Sequence, residues 1–225
     1  MPSTSDQTSR GDYGALRRLY ADYAPRYDRQ FARYTATTLR RAIAALGDQP
    51  PGRLVDVACG TGVLAEQVRE RWPGTPIVGV DLSPEMLAQA ARRMPRTGTA
   101  STDGAVPTDW RAGPAEKLPV GDGEADTLTC TNAFHLVQAP DDALAEFRRV
   151  LRPGGRLVLV DWSRDFLSMR GLLLALRVVR RQRRRPWTLE SLRAAVELAG
   201  FSIEATDRFK SGPVWGLMTI VGRRR

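Results

Sequence analysis

Apolar residues along the chain follow two alternating rhythms. After a polar start over residues 1–12, expected to fray, Leu, Tyr and Phe recur at helical spacing among helix formers from Tyr13 to Leu46, which predicts one or two helices. Residues 47–52 (GDQPPG) stop that pattern, and 53–58 (RLVDVA) form a short β-branched run suited to a buried strand. A Gly60–Gly62 turn then leads into a helix over 63–72, followed by a strand over 76–81. Ser83 as N-cap, with Pro84 at the first helical position, opens a helix over 84–94. A Thr/Gly/Pro-rich loop over 95–109 precedes a short strand near 110–112 and a longer one over 125–131. A helix over 141–151, a Pro153-Gly154-Gly155 turn and a strand over 156–162 follow. The pattern ends with a helix over 189–199 and two strands, 201–208 and 214–222, whose short link favours an antiparallel hairpin.

Strands alternating with helices demand parallel pairing through right-handed crossovers, because each helix must return the chain to the same edge of the sheet. The expectation is a doubly wound α/β fold with a seven-stranded, mostly parallel sheet and an antiparallel C-terminal strand.

Composition adds limits. The 225 residues are 42% apolar and 26% charged, enough for one globular domain with a sizeable core. No apolar run has the length of a membrane-spanning helix and the first residues lack a secretory apolar core, so a soluble, cytoplasmic protein is expected. Two cysteines, Cys59 and Cys130, and one histidine, His135, leave neither a disulfide framework nor a thiolate or zinc centre to build. The net charge of +9 is concentrated: Arg164 to Arg185 carries eight arginines and one aspartate, and Arg223 to Arg225 add three more. What calls for an explanation is one local cationic segment rather than a basic surface.

The most informative stretch is 55–65, VDVACGTGVLA, a strand running through a glycine turn into a helix. Gly60, Gly62 and Ala65 satisfy G-x-G-x-x-G/A, and Asp81 lies 21 residues beyond Gly60 at the end of the next strand. Glycine lets backbone approach a nucleotide-type ligand closely, and Asp81 accepts both ribose hydroxyls of an adenosine. A nicotinamide dinucleotide and a cationic adenosine ligand both fit this much. Asp56 separates them, since a carboxylate in an apolar strand is costly unless a cation or donor compensates it, and it would repel a pyrophosphate.

Together VDVACGTG, GVDLSPEML, AEKLP and FRRVLRPGGRLVLVDW resemble the class I S-adenosylmethionine-dependent methyltransferases of the small-molecule type, from about Tyr20 to Gly222. The resemblance implies a Rossmann-like domain over 51–225, with a helical insert at 163–186, under an N-terminal helical lid over 1–50. It implies S-adenosylmethionine as cofactor, with the Gly60-Thr61-Gly62 turn at its methionine end, Asp56 supporting the ammonium and Asp81 on the ribose. Leu82 and Met86 would flank the adenine, and Ala115 would donate its N–H beside Glu116. Ala58 and Asn132 join the cofactor set, and Tyr20 and Tyr27, with Tyr23, resemble the family's lid. The chain departs from the family at Pro114, where the usual Asp accepts the adenine amino group; Glu116, or the region of Asp103 or Asp109, is the substitute. No metal is implied.

Methyl transfer is an in-line displacement at a sulfonium with a neutral leaving group, so positioning supplies most of the catalysis. A general base is needed only where the acceptor must lose a proton. His135 after the fourth strand and Asp161 at the end of the fifth are the candidate catalytic residues, against the alternative that His135 packs beside Phe134. In the insert, apolar residues from Phe166 to Val179 precede RRQRRR, and Arg170, Arg177, Arg181 and Arg184 share an arc of a helix. That segment could line a pocket for a hydrophobic acceptor, bind an anionic membrane surface to reach a lipid or quinone, or bind RNA phosphates. The expected reaction is methylation of O, N or C of a small apolar or aromatic acceptor, such as a natural-product intermediate. A lipid or quinone methyltransferase at an anionic membrane is the alternative. RNA methylation, nicotinamide-dependent oxidoreduction and a non-catalytic binding role complete the field.

Overall fold

The computed structural model describes residues 13–94, 106, 108–180 and 187–225, with 176–180 by backbone alone. Pro25 divides the long N-terminal apolar pattern, because proline lacks an N–H and its ring crowds the preceding turn. Helix α1 (Gly14–Tyr23) passes through a 3-10 turn (Ala24–Arg26) into α2 (Tyr27–Leu46). Then come β1 (Leu54–Val57), α3 (Val63–Arg71), β2 (Ile77–Asp81), α4 (Pro84–Arg93), β3 (Thr108–Ala112) and β4 (Ala125–Thr131). The chain closes with α5 (Pro140–Val150), β5 (Leu151–Trp162), α6 (Leu167–Arg180), α7 (Leu189–Leu198), β6 (Phe201–Ser211) and β7 (Trp215–Arg224).

The seven strands lie in the order β3-β2-β1-β4-β5-β7-β6. The first five run parallel, and β7 is antiparallel to both β5 and β6. Ser83 caps α4 as expected, its Oγ accepting the Met86 N–H at 3.3 Å. The residues expected as a turn at 153–155 belong to β5 instead, which begins at Leu151 and meets β4 through a register break between Ala125 and Thr127. Gly154, at φ +75°, makes that irregularity possible without a turn. The hairpin strands β6 and β7 reach beyond the expected 208 and 222, because Phe209, Lys210 and Ser211 pair with Leu217, Gly216 and Trp215 and the ladder continues to Arg224. Of the loop over 95–109, only 106, 108 and 109 lie within the described residues.

Alternation along the strands separates two apolar layers. Val55, Val57, Leu128, Cys130, Leu157 and Leu159 pack on one face with Phe147 of α5 and Leu192 and Val196 of α7. Leu54, Ile77, Val158 and Val160 face the other side, toward Leu39 of α2, Leu64 and Val68 of α3, and Met169 of α6. All these residues are below 9% exposed, so both faces of the parallel sheet are covered.

Candidate functional site

Strand order reverses between β1 and β4: the chain builds outward through β2 and β3 on one side, then returns to add β4 and β5 on the other. Such a switch point opens a crevice beyond the carboxyl ends of the strands. Both strands at the reversal end in a non-glycine residue with left-handed backbone, Ala58 at φ 55° after β1 and Asn132 at φ 60° after β4. Conformations of this kind cluster at ligand sites, where surrounding structure holds them in place.

The cleft at this point has a volume of about 760 Å³ including its mouth. Val57, Ala58, Gly60, Asp81, Leu82, Ser83 and Met86 form one wall, Gly113, Pro114 and Ala115 the end, and Ala133, Leu136 and Val137 the other wall. Tyr13, Leu16, Arg17, Tyr20 and Tyr27 close it from the N-terminal segment. Asp81 is the acidic residue of this lining. Its Oδ2 accepts the Gly60 N–H and its Oδ1 the Ser83 N–H, both at 2.8 Å. Burial raises its pKa, against those hydrogen bonds. An ionised carboxylate has about four acceptor positions, and with the Leu82 N–H also directed at it, acceptor capacity remains for a ligand hydroxyl.

Asp56 does not line the cleft. It lies in β1 opposite Thr129 of β4, whose Oγ1 donates to Asp56 Oδ1 at 2.7 Å. Burial pushes its pKa up to about 7, the Thr129 bond opposes the rise, and the nearby Asp81 adds to it. Thr61 and Gly62 also lie outside the lining. Thr61 Oγ1 donates to Asp28 Oδ1 of α2 at 2.6 Å, and Arg93 ties Asp28, Glu66 and the Thr61 carbonyl together, fastening α2 over the turn. Gly62, at φ +79°, leaves no space for a side chain: a Cβ would stand 2.9 Å from Trp110 and 3.0 Å from Ala90.

Glu116 is not among the residues lining the cleft, and its Oε2 is buried without a hydrogen-bond partner among the described residues. Its Oε1 accepts the Tyr13 hydroxyl and the N–H groups of Gln138 and Ala139, the latter two at 3.2 Å. It therefore caps the start of α5, where Ala139 has no side-chain cap of its own. Burial and the neighbouring Glu116 carboxylate together push the Tyr13 phenol pKa up. Pro114 lines the cleft without offering a carboxylate to it. Asp109 is paired with Arg111, and Asp103 lies outside the described residues.

His135 and Asp161 form a buried pair beside the cleft wall, not in its lining. Asp161 accepts the His135 N–H at 2.7 Å, meets His135 Nδ1 at 2.6 Å, and accepts the Trp162 N–H at 2.6 Å. The imidazole stacks on Trp162 with centroids 4.0 Å apart. Trp162 Nε1 donates to the Tyr34 hydroxyl, which donates to Asn132 Oδ1, each at 2.6 Å; Asn132 Nδ2 donates to Thr38. The Asn132 side chain thus anchors α2 to the end of β4.

Of the residues anticipated from sequence, Tyr20, Tyr27, Ala58, Gly60, Asp81, Leu82, Met86 and Ala115 meet around the cleft. Asp56, Thr61, Gly62, Glu116, Asn132, His135 and Asp161 lie outside its lining. Tyr13 was missed, although Tyr13, Tyr20 and Tyr27 recur every seven residues and so share one helical face. Burial raises the pKa values of Cys59 and Cys130, which disfavours their thiolates. Among the described residues no cluster of His, Cys, Asp and Glu could hold a metal ion.

Comparison with known proteins agrees with this geometry. The family profile described as a methyltransferase domain matches residues 55–159. A demethylmenaquinone methyltransferase of Thermus thermophilus is 35% identical over 148 residues, 64% of this chain and 64% of that one. A second, of Deinococcus radiodurans, is 36% identical over 165 residues, 72% of this chain and 65% of that one. The chain thus aligns with slightly under two thirds of these relatives' length. In fold it is similar to an S-adenosylmethionine-dependent methyltransferase of Thermotoga maritima, described as a possible histamine N-methyltransferase. The TM-score is 0.73 at 21% identity, covering 93% of this chain and 100% of that one. With a glycine turn and a hydrogen-bonded carboxylate set at the switch point of its sheet, the chain carries a methyltransferase domain over residues 55–159 and has the fold of the class I S-adenosylmethionine-dependent methyltransferases.

Proposed function

We propose that the protein methylates an electron-rich ring of a small apolar acceptor, with a reduced quinone as the leading candidate. The observation that carries this reading is the cleft itself: apart from Asp81, Ser83 and Arg17, its side chains are aliphatic or aromatic. That lining favours an adenosine base and an apolar partner over an ionic one. The names of the demethylmenaquinone methyltransferase relatives point the same way.

The cofactor fits the residues present. A Cβ at Gly60 would meet nothing within 4 Å, so glycine leaves a cradle at the turn, and Asp81 beside it retains acceptor capacity. When bound, S-adenosylmethionine supplies an electrophilic methyl group whose departure leaves a neutral thioether. The chain therefore has to align and desolvate the partners, and the proton displaced from the ring carbon or hydroxyl leaves to solvent at the mouth of the cleft. Asp81 would hold the ribose hydroxyls, and Leu82, Met86 and Ala115 would enclose the base. Tyr13, Tyr20 and Tyr27 would exclude water. His135 and Asp161 act in this reading as positioning residues, fixing the 3-10 turn Phe134–Leu136 that continues into Val137 and the acceptor-side wall.

The test is incubation with isotopically labelled S-adenosylmethionine and a panel of short-chain demethylmenaquinols, simple hydroquinones, catechols and a structured RNA, read by mass spectrometry. A methylated quinol or phenol is expected. Methylation confined to the RNA, or label transferred to no ring compound, would refute the proposal.

A further inference from the structure

Helix α6 is apolar on the side facing the protein and on the side facing water. Met169 is fully buried beneath it, and Leu172 and Leu173 pack against the core between the sheet and α2. At the helix entry Phe166 lies over Gly216 of β7, where a Cβ would come within 2.3 Å of its ring. These contacts fix which way the helix faces. On the opposite side Leu167 is 79% exposed and Leu174 64% exposed, one above the other at i and i+7, with exposed Gly171 between them. An apolar row exposed on the outer side of a helix whose inner side is already packed marks a second contact surface.

The charge around this exposed row identifies what would cover it. Arg164 and Arg170 are exposed beside it, and Arg170 Nε is held by the Arg164 carbonyl at 3.1 Å. Arg177 and Arg180 follow within the same helix, and the sequence from 164 to 180 holds a single aspartate. That aspartate, Asp165, is already committed to Ser163 and to the N–H of Leu189. Apolar side chains projecting from a helix that carries Arg170, Arg177 and Arg180 and no acidic residue match an anionic lipid surface, where leucines enter the acyl boundary and guanidinium groups stay at the phosphates. Among the described residues no helix is long and apolar enough to cross a membrane, so contact would be from one side only.

We propose that the outer face of α6, with Leu167 and Leu174 as anchors, docks the protein on an anionic membrane surface. Docking needs neither cofactor nor acceptor, so it stands or falls separately from the methyl-transfer reading.

The test is vesicle flotation of the full chain, using phosphatidylcholine alone and phosphatidylcholine mixed roughly two to one with phosphatidylglycerol. The expected result is binding to the mixed vesicles alone, weakening as salt screens the arginines. Leu167→Ser and Leu174→Ser should each lower the partition coefficient on the order of tenfold while leaving S-adenosylhomocysteine affinity unchanged. Because both side chains are exposed, the variants should fold, and the retained cofactor affinity checks this. Equal binding to neutral vesicles would overturn the proposal, as would no vesicle binding at low salt. So would unaltered binding by the double leucine variant, or binding of an RNA homopolymer in place of vesicles, either of which would leave charge as the only determinant.

Discussion

Asp56→Asn tests whether the carboxylate in β1 is as isolated as its position indicates. Asp56 is 1% exposed and holds one hydrogen bond from Thr129, and its pKa is pushed from 3.8 to about 7. A raised carboxyl pKa means that the folded state keeps a proton the unfolded chain gives up. Below about pH 4 both states hold it and the group has no effect on stability. Between pH 4 and 7 the wild type should lose about 1.4 kcal/mol per pH unit from this residue, reaching a penalty of about 4 kcal/mol above pH 7. Asparagine is isosteric, still accepts from Thr129, and does not ionise. Urea unfolding at a series of pH values from 5 to 8 should therefore show the variant gaining on the wild type with rising pH, by about 3 kcal/mol at pH 8 relative to pH 5. A difference that stays flat across this range would refute the reasoning. It would mean that Asp56 is compensated by a donor or an ordered water and ionises normally.

Asp81→Asn should weaken S-adenosylhomocysteine binding by about 1.5 to 3 kcal/mol, read by calorimetry, if the carboxylate makes charged hydrogen bonds to the ribose. An unchanged affinity would contradict that role. Gly60→Ala and Gly62→Ala should separate binding from packing. The first, with open space and φ +55°, should cost about 1–2 kcal/mol of stability but place a methyl group in the cleft; the second should melt markedly lower, because strain at φ +79° adds to the collision with Trp110 and Ala90. Comparable melting of the two variants, with equal cofactor affinity, would contradict the assignment. Tyr13→Phe removes the hydroxyl that donates to Glu116 and accepts from Gln138, and should destabilise by about 1–2 kcal/mol. Hydrogen exchange should quicken in α1; unaltered exchange there would show that this tie does not hold the helix.

The order of elements, the parallel sheet and the glycine turn were legible in the sequence because each rests on local chemistry: period-2 and period-3.6 patterns, Pro and Gly at element ends, an N-cap serine before Pro84. Gly60 and Asp81 were legible from the spacing of the glycine fingerprint, whereas Tyr20, Tyr27, Leu82 and Met86 were named only through the resemblance to the methyltransferases. The roles of Glu116, Asn132 and His135 were not legible. A Glu beside an Ala gives no indication that it will cap a helix start more than twenty residues later, and an Asn after a strand does not reveal that it will bind Tyr34 and Thr38 of α2. The burial of His135 against Trp162 and Asp161 likewise depends on how β4 and β5 lie together. The sequence by itself determined most of the elements and that their strands pair mostly in parallel, because periodicity, turns and caps act over a few residues; the strand order was decided by the tertiary structure. Tertiary structure alone decided which polar groups reach the cleft and which are used up behind it, because side chains distant in sequence compete there for the same hydrogen bonds and the same space.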